Sequence, residues 1–516
     1  MKKRTFLIIL VFCSTYLLQA QSKEGNTWVL GFMGIHLDFN NLPPTQDSTL
    51  LYYHSSYTGQ LKILPYSISN ICDSQGQVRL ICDGTSLFNG QGQLIANGDT
   101  LVPSLWAQYN QGTGNNYSQT SLILPFPQHR YTIVTPVFSD SAYTEFFVTT
   151  GGLVVFDQLM YHVVDMQANG GQGQVIKKRA IADRNQRYSM LQMGAVRHAN
   201  GRDWWVLKMD RDSVNVHSYL FTPDSVYVKS VFRLPYSIPL GPERQGQMMF
   251  SDDGSKWVSA SDNYSSQVYF GDFNRCTGQL SGVQEIKIPV VYSSDLNWFD
   301  SSTSGVCYSP NKELLYVSRY THIFQYHIAS QSWYTVHGPD TPAIGTGNFL
   351  KGYNGIYLGQ DGKLYIGNWG GVVRHMSVID NPNAQGAACN FCRACFRNTA
   401  FWGWLGAIPN MPNYALGQDS SLCWPVGLTT INTEPLAVKL YPNPAQDRLT
   451  VQCVLGEQET ALFILYDLLG HEQARMELSY EQDTRTLSIG HLPAGLYLYQ
   501  CRVAPGTSYS GKLIKD

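Results

Sequence analysis

A polar turn, usually carrying Gly or Asn, followed by a strand that alternates aromatic and β-branched residues, recurs seven times along the first four-fifths of the chain. The turns stand at Gly25 before NTWVLGF, Gly76 before QVRLICD, Gln128 before RYTIVT and Gly201 before RDWWVLK. They continue at Gly254 before SKWVSAS, Asn311 before ELLYVSR and Gly362 before KLYIGNW. Successive turns are roughly 50–58 residues apart, except for one interval near 70 between Gln128 and Gly201, where an insertion is expected. A unit of this length cannot bury its apolar face alone, so its neighbours must cover it.

Each unit predicts four strands. SDDG, SPNK and GQDG supply the Asp, Asn and Gly that tight hairpin connections need. Apolar runs precede six of the turns (SISNIC, TSLILP, GAVRH, QMMFS, SGVCYS, GIYLG), and after most second strands comes a third such as QVYFGDF or IFQYHI. Radial repetition of four-stranded blades limits exposed strand edges, so the expected fold is all-β: a seven-bladed β-propeller over residues 21–417. Only the first unit lacks a leading strand. Residues 407–416, in GAIPNMPNYALG, are expected to supply it by pairing with residues 26–32 and closing the ring.

Composition agrees with strands and turns: charged residues make up 14% of the chain and aromatics 13%, with 32 Tyr and 46 Gly. A formal net charge of −2 leaves no basic field for a phosphate backbone, which argues against nucleic acid as a partner. Lys2, Lys3 and Arg4 before the apolar run at 6–18, then Leu18-Gln19-Ala20, predict a signal peptide over residues 1–20, cleaved between Ala20 and Gln21. That run is too short to span a bilayer, and no transmembrane segment is expected in the mature chain. Cys13, in the middle of the run, is not placed to carry a lipid.

With Cys13 removed ten cysteines remain, an even number in an oxidising compartment, which favours disulfides. Cys389, Cys392, Cys395 and Cys423 form one group; its C-x2-C spacing also suits a metal, but zinc sites more usually pair two such units. No cofactor is expected. The histidines are scattered one or two per unit, the Asp252-Asp253 pair falls in a repeated turn, and no hydrolase, metalloprotease or phosphate-loop motif occurs. Trp204 and Trp205, adjacent on one strand, must point to opposite faces. Trp257, Trp298, Trp369, Trp402 and Trp404 could pack between blades or offer a flat face to a ligand. Short Asp-Ser/Thr triplets at Asp99, Asp140, Asp212 and Asp224 resemble an O-glycosylation sequon.

After residue 417 the composition changes to a loop-like linker, 418–437, and seven short β runs follow over 438–516. Their length and spacing predict an immunoglobulin-like β-sandwich. Alternation puts Cys453 and Cys501 on strands that can neighbour, either as a disulfide or as two small apolar side chains.

Two resemblances follow from these motifs. SPNKELLYVS, DFNRCTG, VVDMQANGGQGQV and IPNMPNY make residues 26–417 similar to secreted YVTN-like and quinoprotein-like propellers, a group without one common activity. The last segment resembles the type A C-terminal sorting domain of the type IX secretion system. The match lies in Tyr441-Pro442-Asn443-Pro444, in Asp447, in Asp467 and Gly470 of YDLLG, in Gly495 and Tyr497 of LPAGLY, and in Lys512 and Lys515 of GKLIK. It implies export to the outer-membrane surface or the medium by the type IX machinery, and handling by a sortase-like peptidase. A surface binding or adhesion platform for a glycan or protein is therefore expected. A secreted hydrolase or lyase, or a structural surface component, are the alternatives.

Overall fold

The computed structural model describes residues 22–31, 34–47, 53–54, 61–62, 67–109, 117–149, 154–211, 215–234, 246–261, 267–293, 298–300, 303–338, 352–368, 375–397, 407–419, 421, 423, 438–453, 455, 459–467, 471–503 and 507–516. The signal-peptide cleavage site at Ala20 and Gln21, most of the linker 418–437 and Gly470 lie outside them. The chain divides into two compact units, residues 1–423 and 424–516.

The first unit is built of antiparallel sheets. All seven strands expected after the turns are present: Thr27–Val29, Val78–Cys82, Arg130–Val137, Trp204–Asp210, Lys256–Ser261, Leu314–Arg319 and Leu364–Asn368. Six of them pair with a leading strand; Met248–Phe250 with Lys256–Ser261 and Thr303–Tyr308 with Leu314–Arg319 are examples. The third and fourth units share one seven-stranded sheet, because the 24-residue strand Gln174–Arg197 pairs first with Phe156–Asp165 and then with Trp204–Asp210. The extra length between Gln128 and Gly201 is taken up by this strand and by the helical turns at 140–148.

Consecutive sheets bury their faces on one another. Trp205 packs with Trp257 and Tyr269 of the following sheet, while Trp204, on the opposite face, joins Leu124, Ile133 and Tyr219. Both indoles are buried, and their N–H groups donate to the carbonyls of Pro125 and Arg275 at 3.0 and 2.7 Å. Val258 and Phe270 meet Leu315 and Phe324. The first sheet, through Trp28, Leu37 and Phe39, packs on Tyr365, Met376 and Val378 of the last.

The closing strand expected at residues 407–416 is absent. Among the described residues, one backbone bond links residues 407–416 to residues 26–31, from Gly31 N–H to the Ala407 carbonyl at 2.8 Å, and they form no ladder. Two causes act together. Pro409 and Pro412 have no N–H to donate. The edge of Thr27–Val29 is already occupied by the buried Asn70 side chain, which accepts from Val29 N–H at 3.0 Å and donates to the Thr27 carbonyl at 2.8 Å.

The segment runs instead across the converging leading strands as a strap. Asn410 donates through Nδ2 to the carbonyls of Ser121 and Met193 at 3.1 and 3.2 Å, and its own N–H donates to the Ile68 carbonyl at 2.8 Å. The Tyr414 hydroxyl donates to the Ile123 carbonyl at 2.9 Å. Two glutamines act in the same way: Gln119 grips Met248 N–H and C=O, and Gln247 grips Ile356 N–H and C=O while also accepting from Val306 N–H. Beyond the strap, Cys423 is disulfide-bonded to Cys276, 147 residues away. This corrects the expected grouping of Cys423 with Cys389, Cys392 and Cys395, which carry no disulfide; sequence proximity does not decide which thiols meet in space.

The second unit has the seven strands expected from its seven runs, in a three-stranded and a four-stranded antiparallel sheet. One core, including Leu449, Val451, Phe463, Leu465, Tyr497 and Leu513, lies between them.

Replacing Asn410 with Ala should destabilise the first unit by about 2–4 kcal/mol, because two buried carbonyls lose their donor. Urea unfolding of wild type and variant measures this; a loss of under about 0.5 kcal/mol would show that water takes over the role.

Candidate functional site

A cavity of about 210 Å3 opens between the strap and the turns that follow the leading strands. Ser251 and Asp252 reach it from the turn after Met248–Phe250, Ser309 and Pro310 from the turn after Thr303–Tyr308, and Gly359 and Gln360 from the turn after Tyr353–Leu358. Trp28, Phe250, Tyr308 and Tyr357 give it aromatic faces, and Met411, Pro412, Asn413 and Leu416 of the strap form one wall.

These turns are held from within. Asp253, beside the lining, accepts from the Ser251 and Ser255 hydroxyls at 2.7 and 2.8 Å and pairs with Lys312 of the next unit's turn. Burial alone would raise the Asp253 carboxyl, but the hydrogen bonds from Lys312, Ser251 and Ser255 outweigh it and hold the group well below the carboxylate range. Asp252 points the other way. Partial burial, with the charge of Asp253, pushes its carboxyl up, and Asn413 of the strap donates to its Oδ1 at 2.8 Å. Its side chain remains accessible at the rim.

Among the described residues, the lining contains no Lys, Arg or His, and Asp252 is its one carboxylate. Its thiol, Cys307, is pushed up to about 12 by burial and stays protonated near neutral pH. Nothing in the lining pairs a nucleophile with a base, or two carboxylates. What the arrangement can do chemically is accept an apolar or hydroxyl-rich group against aromatic faces, with a hydrogen-bond acceptor at the edge.

The histidines are elsewhere. Buried His162 accepts from Arg179 N–H at 3.0 Å, and burial with nearby Lys178 and Arg179 lowers it to about 3. Among the described residues, His198 with Cys276 and Cys423 is a group that could hold a metal ion, but the two sulfurs are bonded to each other, so no thiolate is left to coordinate. The side chains of Trp298, Trp369, Trp402 and Trp404 lie outside the described residues.

One buried cluster went unseen in the sequence. Lys208 is fully buried on Trp204–Asp210, where its ammonium donates to the carbonyls of Ser189, at 2.8 Å, and Leu191. Two residues on, Asp210 accepts from His217 Nε2 at 2.8 Å, and the Tyr219 hydroxyl donates to Asp183 at 2.7 Å. The available signal was a lysine at alternate spacing with an aspartate inside the apolar run WWVLKMD. None of these residues lines the cavity, and the cluster is structural.

In the second unit the motif residues hold the chain end in position. Asn443 accepts from Ile514 N–H at 2.9 Å and donates to the Lys512 carbonyl at 3.1 Å, and Ala445 N–H donates to the Ile514 carbonyl at 2.8 Å. Tyr441 ends the first strand and is followed by Pro442 and Pro444. Asp467 accepts from His471 N–H across its hairpin turn at 2.9 Å. Gly495 opens the strand in which the Tyr497 hydroxyl donates to the Pro493 carbonyl at 2.8 Å. Lys515 is turned inward and Lys512 outward on the last strand.

Residues 439–516 match the family of secretion system C-terminal sorting domains. Such a tail is the address of type IX secretion, and the protein is exported to the cell surface or the extracellular space. No curated protein matches the chain. Solved structures similar to it include a protein from Lactobacillus plantarum, at 12% identity and a TM-score of 0.36, covering 72% of this chain and 89% of that one. A putative 6-phosphogluconolactonase from Bacteroides uniformis matches at 11% identity and a TM-score of 0.35, covering 74% and 98%. The Dos1 propeller matches at 11% identity and a TM-score of 0.32, covering 63% and 77%. Among the described residues no helix is long and apolar enough to cross a membrane.

Two outcomes are expected. Burial lowers Lys208 to about 7, with Asp210 opposing, whereas an unfolded lysine titrates near 10.4. Between those values the unfolded chain holds the proton and the folded chain does not, so stability rises with pH across that window and the penalty is full below it. Denaturation from about pH 7 to about pH 9.5 should show the unfolding free energy climbing by roughly 1 kcal/mol per pH unit. Lys208→Met should remove the climb; a flat wild-type profile would mean that the buried ammonium stays charged.

A chain ending at Glu434 should fold its first unit and stop in the periplasm. Fractionation of a type IX host reads this, and surface or medium levels equal to wild type without lysis would show that the sorting domain is dispensable.

Proposed function

We propose that the exported chain is a surface-delivered binding protein: a seven-bladed β-propeller over 21–417, a linker over 418–437, and an immunoglobulin-like sorting sandwich over 438–516, freed from its signal peptide after Ala20. Support for the ring comes from seven turn-and-strand units whose faces are buried in succession, the first against the last. The type IX machinery recognises the sandwich, and a sortase-like peptidase processes it.

The observation that carries the binding role is the lining of the channel mouth. Its aromatic residues, its single lining carboxylate and the absence of basic side chains among the described lining residues favour a neutral or cationic ligand, a glycan or a protein segment, held without turnover.

A glycan array and a panel of cationic peptides, probed with the purified protein, should reveal a ligand whose affinity falls at least about tenfold in Asp252→Lys, from charge reversal at the accessible rim. A binding signal indifferent to that change would move the site elsewhere. Depolymerisation of a polysaccharide that is abolished in Asp252→Asn would replace this reading with a hydrolase.

A further inference from the structure

The core of the sorting domain contains a pair of thiols. Cys453 ends the strand Arg448–Cys453 of the three-stranded sheet, and Cys501 lies in Gly495–Val503 of the four-stranded sheet. Alternation points both inward, Cys453 with Leu449 and Val451 and Cys501 with Tyr497 and Val503, so they face each other across the core. Both are completely buried, and the Cys501 thiol donates to Cys453 Sγ at 4.0 Å. Between residues 424 and 516 the chain has no other cysteine, so within this unit each has a single partner.

We propose that Cys453 and Cys501 are oxidised during export to a disulfide that joins the two sheets of the sorting domain. The chain passes through an oxidising compartment, where cysteines that folding brings together form disulfides. The step is a thiol–disulfide exchange with a disulfide-bearing dithiol oxidase. One thiolate attacks the oxidase disulfide, the second thiolate displaces the oxidase sulfur from the mixed disulfide, and the oxidase leaves as a dithiol carrying the two electrons and two protons. In the folded core the reaction is slow, since burial pushes the Cys501 thiol up to about 12 and scarcely any thiolate is present. Oxidation therefore belongs to the folding chain, when both thiols are in water. The bond closes a loop spanning 48 positions and ties the two faces of the core together.

Peptide mapping of the full chain tests this. The protein is delivered to the periplasm of a Gram-negative host that has a dithiol oxidase and lacks the type IX machinery, which keeps residues 439–516 attached. It is then denatured in iodoacetamide without reductant and digested with trypsin. The expected product is the peptide 449–475 joined to the peptide 486–502, at the sum of their masses less two hydrogens, and split by reductant. The Cys276–Cys423 pair, mapped in the same digest, reports how far the sample was oxidised. Carbamidomethyl groups on both Cys453 and Cys501, or either of them bonded to a different cysteine, would overturn the proposal whatever the state of Cys276 and Cys423.

Discussion

The strap at residues 407–419 is the element on which the first unit depends. Leading strands that converge on a common centre leave backbone N–H and C=O groups facing a space with little water, and unsatisfied groups there are costly. Asn410 and Tyr414 answer several of them from one short segment, and the amides of Asn70, Gln119 and Gln247 answer others by imitating a neighbouring strand. Arg197 and Arg275 fasten the strap onward through the carbonyls of Tyr414 and Gly417, at 3.1 and 2.6 Å, and the Cys276–Cys423 disulfide holds the chain where it leaves the unit. The cavity beside Asp252 has the same strap as one wall.

Side chains that neutralise backbone groups also explain how so few charges suffice. Amides, hydroxyls and indoles supply many of the buried side-chain hydrogen bonds, and the buried Lys208 has its Nζ bonded to two carbonyls. Where charges do occur at the mouth they are divided: Asp253 is committed to Lys312 and the turn, whereas Asp252 keeps an accessible oxygen. A rim built this way can select against anions without any dedicated recognition loop.

The sorting domain solves its edge problem with the same device. Asn443 grips the backbone of the last strand as Asn70 grips that of the first, so the motif residues serve to fix the chain terminus as well as to spell an address. A terminus held by backbone bonds presents a defined surface to the secretion machinery, which suits a domain whose work is to be recognised.

The seven second strands, the six leading strands and the seven runs of the sorting domain were legible because alternation and turn chemistry act over a few residues. Trp204 and Trp205 were likewise legible as opposite-facing, since strand geometry alone requires it. The strap was not: IPNMPNY read as a missing strand, and only the tertiary structure decided that its prolines and the prior claim of Asn70 exclude a ladder. The partner of Cys423 was hidden for a related reason, since 147 residues separate it from Cys276 and only folding sets that distance. Of the candidate site, Asp252 was visible as a turn residue, but its pairing with Asn413 and the absence of basic side chains from the described cavity lining are properties of converging turns. Local sequence determined the elements and the destination of this protein; the convergence of distant backbone groups decided that residues 407–416 bond across the leading strands as a strap and do not pair as a strand.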